Sequence, residues 1–561
     1  MITKVIFRSS ILLLFVVFIT SCQQAETEEY ESLVRPNIVW ISLEDLSPHL
    51  GCYGDTLAKS PTIDKLAEEG IKYTNAFTSA PVCAPCRSGI ITGMNQTSIG
   101  THHMRVTHKA DGLPTPYSAV PPPYVKMFTE YLRAAGYYCT NNVKTDYQME
   151  VPVTAWDESS TQASFVNRKD KSQPFFAIYN FTQSHESQNW RKPKNTNPDH
   201  VTVPPYYPDN KVVREHLATL YDNVMIVDQK VKDVLDLIEK SGEADNTIVM
   251  FWTDHGDGMP RAKRWLYESG LKVPLIVRFP DKRYAGTVDD QLISSIDFGP
   301  TVLSLAGIEV PTHMQGQAFL GKYATDRERA FVFGARDRFD ESYDMVRTVR
   351  TQRYRYIRNY YPHLPYIIWI PYRNRQPIMQ ELIRMDLQDS LNEVQKLWMA
   401  DSRPAEELYD CIDDPHNINN LADDPKYQEI KRDLGVAMDR YMLAIDDKGY
   451  LSEDQLKELF WPGGVQPETF VPKFIIDYPV DVERQADKKL EEISLPCQIK
   501  LQCPTDGASI AYTFEEGEDP HWQLYAGPVR LKQGEYTMRA KAIRIGYKES
   551  GEVVQKFAVG M

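Results

Sequence analysis

Four seven-residue apolar runs, NIVWISL from Asn37, FFAIYNF from Phe175, TIVMFWT from Thr247 and VPLIVRF from Val273, most constrain how this chain can fold. A strand with one wet face alternates apolar and polar residues. Runs without that alternation are covered on both faces, as in parallel sheets held between helix layers. The intervening segments agree. Pro61 to Glu69 has proline in its first turn and Gly70 at its end, and Arg214 to Lys240 carries Leu217, Leu220, Val224, Val227, Val231, Val234 and Leu237 at helical spacing. Pro36 to about Ala306 therefore reads as an α/β unit with a large mixed, mostly parallel sheet sandwiched by helices.

At 561 residues the chain exceeds one ordinary core. After Gly316 the pattern changes to hairpin-like segments such as MVRTVRTQRYRYIRNYY and then to amphipathic helices, which predicts a smaller antiparallel subdomain. The last stretch, with ASIAYTF, PVRL, YTMRAKAI and VVQKFAV between glycine-containing and charged turns, predicts a small β-sandwich module. The expected division is a leader (1–22), a tether (23–35), the α/β domain (36–320), the antiparallel subdomain (321–460), a connector (461–495) and the terminal module (496–561).

Lys4 and Arg8 precede the apolar stretch ILLLFVVFIT, which is short for a membrane span and reads as an export signal. Ile19-Thr20-Ser21-Cys22 resembles a bacterial lipobox, with Cys22 the lipidated residue. An exported lipoprotein, periplasmic or at the cell surface and held to the membrane by its acyl chains, is expected, on a polar tether QQAETEEYES. The formal charge of -14 argues against nucleic acid as a partner and leaves any anionic substrate to a local basic pocket. Cys497 and Cys503 are close enough in sequence to pair.

Ligands of α/β sheets sit beyond the carboxyl ends of the strands. NIVWISL runs straight into Glu44-Asp45, and TIVMFWT into Asp254-His255. One acidic pair after a strand is usually a turn or a helix cap; two pairs, each abutting a buried strand, point to a cation site. The pentapeptide Cys83-Ala84-Pro85-Cys86-Arg87 contains a Cys-x-x-Cys, so a redox dithiol or half of a zinc site must be weighed. Zinc would want a second close pair of Cys or His, and Cys22, Cys52, Cys139, Cys411, Cys497 and Cys503 supply none nearby.

CAPCRSGIITG also fits the Cys-x-Pro-x-Arg signature of type I sulfatases, members of the alkaline phosphatase superfamily. PNIVWISLEDL, FWTDHGDG, RAKRWLYESGLKVPLIVRFP, SSIDFGPTVLSLAG and EELYDCIDDPHNINNLA continue the resemblance, in family order, from Pro36 to about Asp424. The resemblance implies that a maturation enzyme oxidises Cys83 to formylglycine, whose hydrate is the nucleophile of sulfate ester hydrolysis. It implies that Glu44, Asp45, Asp254 and His255, with the hydrate at position 83, hold one divalent cation, usually calcium in that family. Glu44 stands where Asp is commoner, and the imidazole of His255 is an unusual partner for calcium, which prefers oxygen.

By the same resemblance Arg87 steadies the hydrate and the metal-site carboxylates, Lys144 and Lys263 contact the sulfate, and His185 binds sulfate. The acid for the departing alcohol is His185 or Lys263. Asp146 stands where sulfatases usually have a histidine, so proton acceptance in the second half-reaction falls to Asp146 or to a neighbour. His102, His103 and Arg105 either contact the sugar or hydrogen-bond within their loop, and Arg261 and Arg264 are further pocket candidates. The substrate implied is a sulfated carbohydrate. The rival readings are a phosphate or phosphonate ester hydrolase of the same superfamily and a non-catalytic lipoprotein that binds sulfated glycans with Cys83 left as a thiol.

Overall fold

The computed structural model describes residues 35–109, 112–477, 491–494 and 498–560. The leader with Cys22, the tether up to residue 34, and Cys497 with its pairing to Cys503 lie outside the described residues. In chain order the first part lays down β1 (Asn37–Leu43), α1 (Pro61–Glu68), β2 (Ile71–Phe77), α2 (Cys83–Thr92), α3 (Phe128–Ala134), β3 (Tyr138–Asn142), β4 (Glu158–Ser159), β5 (Phe175–Phe181), α4 (Lys211–Lys240), β6 (Thr247–Thr253), α5 (Glu268–Leu271), β7 (Lys272–Arg278), β8 (Thr287–Asp289), β9 (Ile293–Ser294) and α6 (Phe298–Leu305). These strands form one sheet of order β4-β3-β5-β1-β6-β7-β2-β8, with β9 also paired to β2.

β1 is buried along its whole length because it lies between two parallel neighbours, β5 and β6. Its alternate side chains enter two different layers. Val39, Ile41 and Leu43 pack with α1 and α4, while Ile38 and Trp40 pack with α2, α3 and α6. A buried side chain of this kind contributes roughly 1.5–3 kcal/mol, and β1 supplies both cores at once. α4 begins at Lys211, earlier than its apolar spacing implies, because the Asn210 side chain accepts the Val213 N–H at 3.2 Å and caps the first turn.

VPLIVRF departs from the parallel expectation. β7 runs antiparallel to both β6 and β2. A parallel return needs a crossover, usually a helix, whereas the loop 254–271 after β6 contains only the single turn α5.

A second sheet is antiparallel, β10 (Val332–Arg336), β11 (Val346–Arg350), β12 (Tyr354–Asn359) and β13 (Glu406–Asp410) in that order, and the helix Gln428–Ala444 covers it through Leu434, Met438 and Met442. α5 ties the two sheets together. The buried Glu268 carboxylate accepts from Arg350 Nε at 2.8 Å and from Arg355 Nη2 at 2.6 Å, one arginine from each of two strands.

The terminal strands are β14 (Lys473–Asp477), β15 (Glu491–Ser494), β16 (Gln498–Gln502), β17 (Ser509–Thr513), β18 (Gln523–Leu524), β19 (Val529–Arg530), β20 (Gly534–Ile543) and β21 (Val553–Gly560). They form a three-stranded and a five-stranded sheet whose shared core includes Ile499, Leu501, Ile510, Met538 and Phe557. β14 and β15 fall in the stretch expected as connector. Each is completed by a partner later in the chain, β16 and β21, and pairing at that distance leaves no local sequence pattern.

Burial works against the Glu268 carboxylate, but Arg355 and Arg350 outweigh it and lower its pKa from 4.5 to about 2. A depressed folded-state pKa adds stability above the unfolded value that is lost as the pH falls through the folded one. Glu268→Gln is therefore expected to cost about 3–5 kcal/mol at neutral pH by leaving two buried guanidinium groups unpaired. Thermal melts should also show the variant lacking part of the wild-type loss of stability between pH 4.5 and about 2.

Candidate active site

The register of the central strands builds the site. Leu43 of β1 lies opposite Thr253 of β6 and Phe181 of β5, so the residues that follow all three strands emerge at one carboxyl edge. β1 delivers Glu44 and Asp45, β6 delivers Asp254 and His255, and β5 delivers His185 and Glu186 a few residues on. β3, beside β5, delivers Lys144 and Asp146. The Asp45 N–H donates to Asp254 Oδ1 at 3.2 Å, locking the two acidic pairs together. Asp45 holds φ 49°, a conformation costly for a residue with a Cβ and typical of functional sites. Gly258 is required beside it, since a Cβ there would sit 2.8 Å from Asp45 Oδ2 and 2.7 Å from Glu186 Cα.

α2 begins at Cys83 itself, with Val82 as an extended N-cap, so position 83 sits where a helix N-terminus presents unpaired N–H groups. Cys83 Sγ is 3.3 Å from His255 Nε2 and 3.9 Å from Asp45 Oδ1. One turn further, Arg87 places Nε 3.1 Å from Asp254 Oδ2 and donates Nη1 to Asn180 Oδ1 at 2.9 Å. Burial pushes the Cys83 thiol up, and burial with the nearby Asp254 takes Cys86 up to about 12. Two protonated, buried thiols do not make a redox dithiol. Cys86 is a structural residue whose Sγ donates to the Asp254 carbonyl at 3.0 Å.

Three cations surround the carboxylates. Lys263 Nζ lies 2.8 Å from Asp45 Oδ2 and 3.1 Å from Glu186 Oε1, Lys144 pairs with Glu44 and lies 3.5 Å from Asp146, and Arg87 reaches to 3.9 Å from Glu44. Burial opposes the charge on Asp45, yet Lys263 and His255 hold its pKa well below the usual range. Burial likewise opposes the Lys263 ammonium, and Asp45 is the largest influence keeping its proton on. For His185, burial and then Lys263 push the pKa down.

His255 tests whether these groups suit a metal ion. Its Nδ1 faces the Gly256 carbonyl at 2.9 Å, and since a carbonyl only accepts, Nδ1 carries the proton. Nε2 lies 3.1 Å from Asp45 Oδ1, and although burial opposes it, Asp254 and Asp45 raise the pKa of the ring well above its usual value. Two acceptors at that distance need a positive charge between them, a proton or a cation. Asp45, His255 and position 83 offer donor atoms within 4.8 Å of one another, and Asp254 Oδ1 lies 3.7 Å from the same nitrogen. Two carboxylates, one imidazole and position 83 fit a divalent ion.

The structure gathers Glu44, Asp45, Cys83, Arg87, Lys144, Asp146, His185, Asp254, His255 and Lys263 at this edge. Other candidates fall elsewhere. Arg261 gives Nη1 and Nη2 to the carbonyls of His416 and Asn417 and lies against the rings of Tyr206 and Tyr267, so its donors are spent on the fold. Arg264 is buried and clamps Glu186 with two 3.0 Å hydrogen bonds, making it a support and not a substrate contact. His102 and His103 are 1 % and 6 % exposed, and His103 Nδ1 accepts the Arg338 N–H at 3.3 Å, which favours contacts within the fold over contact with a sugar. Of these three candidates only Arg105 keeps a partly exposed side chain.

Sequence reasoning missed Glu186, Asn180 and Asp340. Glu186 directly follows His185 and neutralises Lys263 and Arg264; burial opposes its charge, but Arg264 and Lys263 lower its pKa to about 2. Its position just beyond an apolar strand was the available signal. Asp340, which holds Arg264 at 3.2 Å, and Gln376, which donates to Glu186 at 2.8 Å, come from beyond residue 320, so the site extends past the stretch expected to contain it.

The sulfatase family profile matches residues 36–308, and the profile of the N-sulphoglucosamine sulphohydrolase C-terminal region matches residues 260–382. An ulvan-active sulfatase of Formosa agariphila is 41 % identical over 92 % of this chain and 90 % of its own length. The chain belongs to the sulfatase family. Human N-sulphoglucosamine sulphohydrolase is 26 % identical over 71 % of this sulfatase and 88 % of its own length. Among solved structures, a protein in complex with its substrate D-glucosamine-2-N,6-O-disulfate superposes with TM-score 0.54 at 19 % identity, covering 74 % of this chain and all of its own, a likeness of fold. Family membership makes the chain a sulfuric ester hydrolase, and sulfatases generally work with a formylglycine and a divalent metal.

Purified wild-type sulfatase is expected to carry one divalent ion per chain by elemental analysis. Asp45→Ala, which removes a candidate ligand and one partner of Lys263, should carry far less; equal occupancy in the two proteins would sink the metal assignment.

Proposed function

We propose that this sulfatase removes sulfate from a carbohydrate sulfate ester, releasing inorganic sulfate and the free sugar hydroxyl, with position 83 as nucleophile after oxidation by a maturation enzyme. The observation that carries the reading is the placement of Cys83 at a helix N-terminus, 3.3 Å from His255 and within reach of Asp45, inside a ring of Lys144, Lys263 and Arg87. As an encoded thiol, position 83 is buried and its pKa is raised, so its chemistry must come from modification. The name of the Formosa relative supports a sulfated polysaccharide of the ulvan type as substrate.

Asp45, Asp254, His255 and Glu44 would hold the cation, for which the carboxylate majority favours calcium. Formylglycine would supply a hydrated aldehyde as attacking oxygen, and the ion would supply positive charge that favours its ionised form. The protein's own residues do the rest. Arg87 fixes the Asp254 carboxylate, and Lys263 and Lys144 are placed to hold sulfate oxygens as negative charge builds on them. Fixed donors of this kind supply about 10²–10³ in rate each.

Ser187 N–H donates to His185 Nδ1 at 3.4 Å, which leaves the ring's proton on Nε2, and the His185 side chain is partly exposed. Lys263 is fully buried with two carboxylate partners that hold its proton. His185 is thus the better assignment for the group facing the departing sugar oxygen. Anchoring through lipidated Cys22, and with it a periplasmic or cell-surface location, rests on the leader sequence.

Two outcomes check this. Sulfate release from sulfated saccharides should be abolished by Cys83→Ala. His185→Ala should cost about 10²–10⁴-fold in kcat on a sugar sulfate, whose alkoxide leaves poorly, and little on 4-nitrophenyl sulfate, whose phenolate leaves unaided. Equal losses on both would remove His185 from that role.

A further inference from the structure

A chain of buried ion pairs leads out of the site. Asp45 pairs with Lys263 at 2.8 Å, Lys263 with Glu186 at 3.1 Å, Glu186 with Arg264 at 3.0 Å, Arg264 with Asp340 at 3.2 Å, and Asp340 with Arg105. The signs alternate throughout. The first five side chains are 3 % exposed or less, whereas that of Arg105 is 33 % exposed. The chain therefore starts on a carboxylate beside Cys83 and His255 and ends on a partly solvent-exposed guanidinium.

Arg105 is held but not consumed. Its Nε donates to Asp340 Oδ1, and among the described residues neither terminal nitrogen has a protein acceptor. Asp340 is also shared, its other oxygen serving Arg264, so a single carboxylate stands between two guanidinium groups. Arg105, Arg264 and Asp340 all hold positive φ, at 60°, 76° and 51°, a concentration of backbone strain that structures keep where geometry matters to function. The Arg105 guanidinium lies 5.9 Å from the ring of Tyr372, which packs 5.2 Å from Trp190. Beyond Asp340, Tyr343 and Trp369 are 54 % and 66 % exposed, and Ser342 Oγ donates to the Trp369 carbonyl at 2.6 Å, joining their two loops. A partly exposed guanidinium that lies against the Tyr372 ring and keeps its terminal nitrogens uncommitted suits a sugar ring that carries an anion.

On the sulfatase reading above, we infer that Arg105 is a specificity determinant that grips a second anionic group, a carboxylate or a further sulfate, on the saccharide whose scissile sulfate occupies the site. Its two uncommitted N–H₂ groups match the paired oxygens of either anion. The buried chain behind it fixes its position and keeps its charge.

The test compares initial rates of sulfate release from four saccharides of one scaffold. One carries the scissile sulfate alone, one adds a uronate, one carries that uronate as its methyl ester, and one adds a second sulfate. The wild-type enzyme is expected to show a KM at least about tenfold lower for the uronate, the disulfate or both than for the two singly charged compounds, as one charge-assisted bidentate contact provides. Preference for the uronate alone identifies a carboxylate, and for the disulfate alone a sulfate. Arg105→Ala should bring the ratio toward one, and Arg105→Lys, which keeps charge but loses the fork, should fall between. Equal KM values across the set for wild-type enzyme, or an undiminished preference in Arg105→Ala, overturns the inference while leaving a working sulfatase. Sulfate release from none of the four overturns the sulfatase reading and the inference with it. Should Arg105→Ala not fold, as a thermal melt would show, the wild-type and Arg105→Lys ratios decide.

Discussion

Four acidic residues, Glu44, Asp45, Asp254 and Glu186, lie almost fully buried at one edge of one sheet, and the rest of the site follows from keeping them charged. An unpaired buried carboxylate would take up a proton. Lys263, Lys144, Arg87 and Arg264 supply the opposing charge, each lying against at least one of the four, and Asp45, Asp254 and Glu186 have lowered pKa values despite burial. The carboxylates in turn hold the cations in place for an incoming sulfate. The same low dielectric that makes unpaired charge costly makes these fixed charges effective on a reacting ester. Position 83 sits at the focus because α2 starts there and points its first turn at Asp45 and His255.

The fold supplies that focus by register. Adjacent parallel strands that end level with one another bring residues more than two hundred positions apart in sequence, such as Asp45 and Asp254, into hydrogen-bond contact. The second sheet braces this arrangement through Glu268 and contributes Asp340 from its own side. The terminal module is docked too. Lys126 donates to Gly507 O and Ser509 Oγ, Arg133 donates to Trp522 O at 2.7 Å, and His521 lies 3.1 Å from Asp157.

What could be read from the sequence was what is local or motif-borne. Continuous apolar runs marked the strands, and acidic pairs abutting two of them marked the sheet edge. The Cys-x-Pro-x-Arg signature marked Cys83 and Arg87 together. What could not be read depends on partners distant in sequence. Arg261 and Arg264 looked alike, three residues apart, yet one is spent on the carbonyls of His416 and Asn417 and the other on Glu186. Asp340 gives no local sign, because its significance is the meeting of two arginines from elsewhere. The antiparallel direction of β7 and the strands β14 and β15 were hidden for the same reason, being set by pairing and not by composition.

The most direct measurement of the central claim is the amount of active enzyme against the fraction of chains with an aldehyde at position 83. It uses batches made with graded amounts of the maturation enzyme, quantified by hydrazide trapping and assayed with the divalent ion present. The account predicts that initial sulfate release rises in proportion to the aldehyde fraction and passes through zero with it. Sulfate release that persists at full rate in batches whose residue 83 is entirely thiol would contradict it.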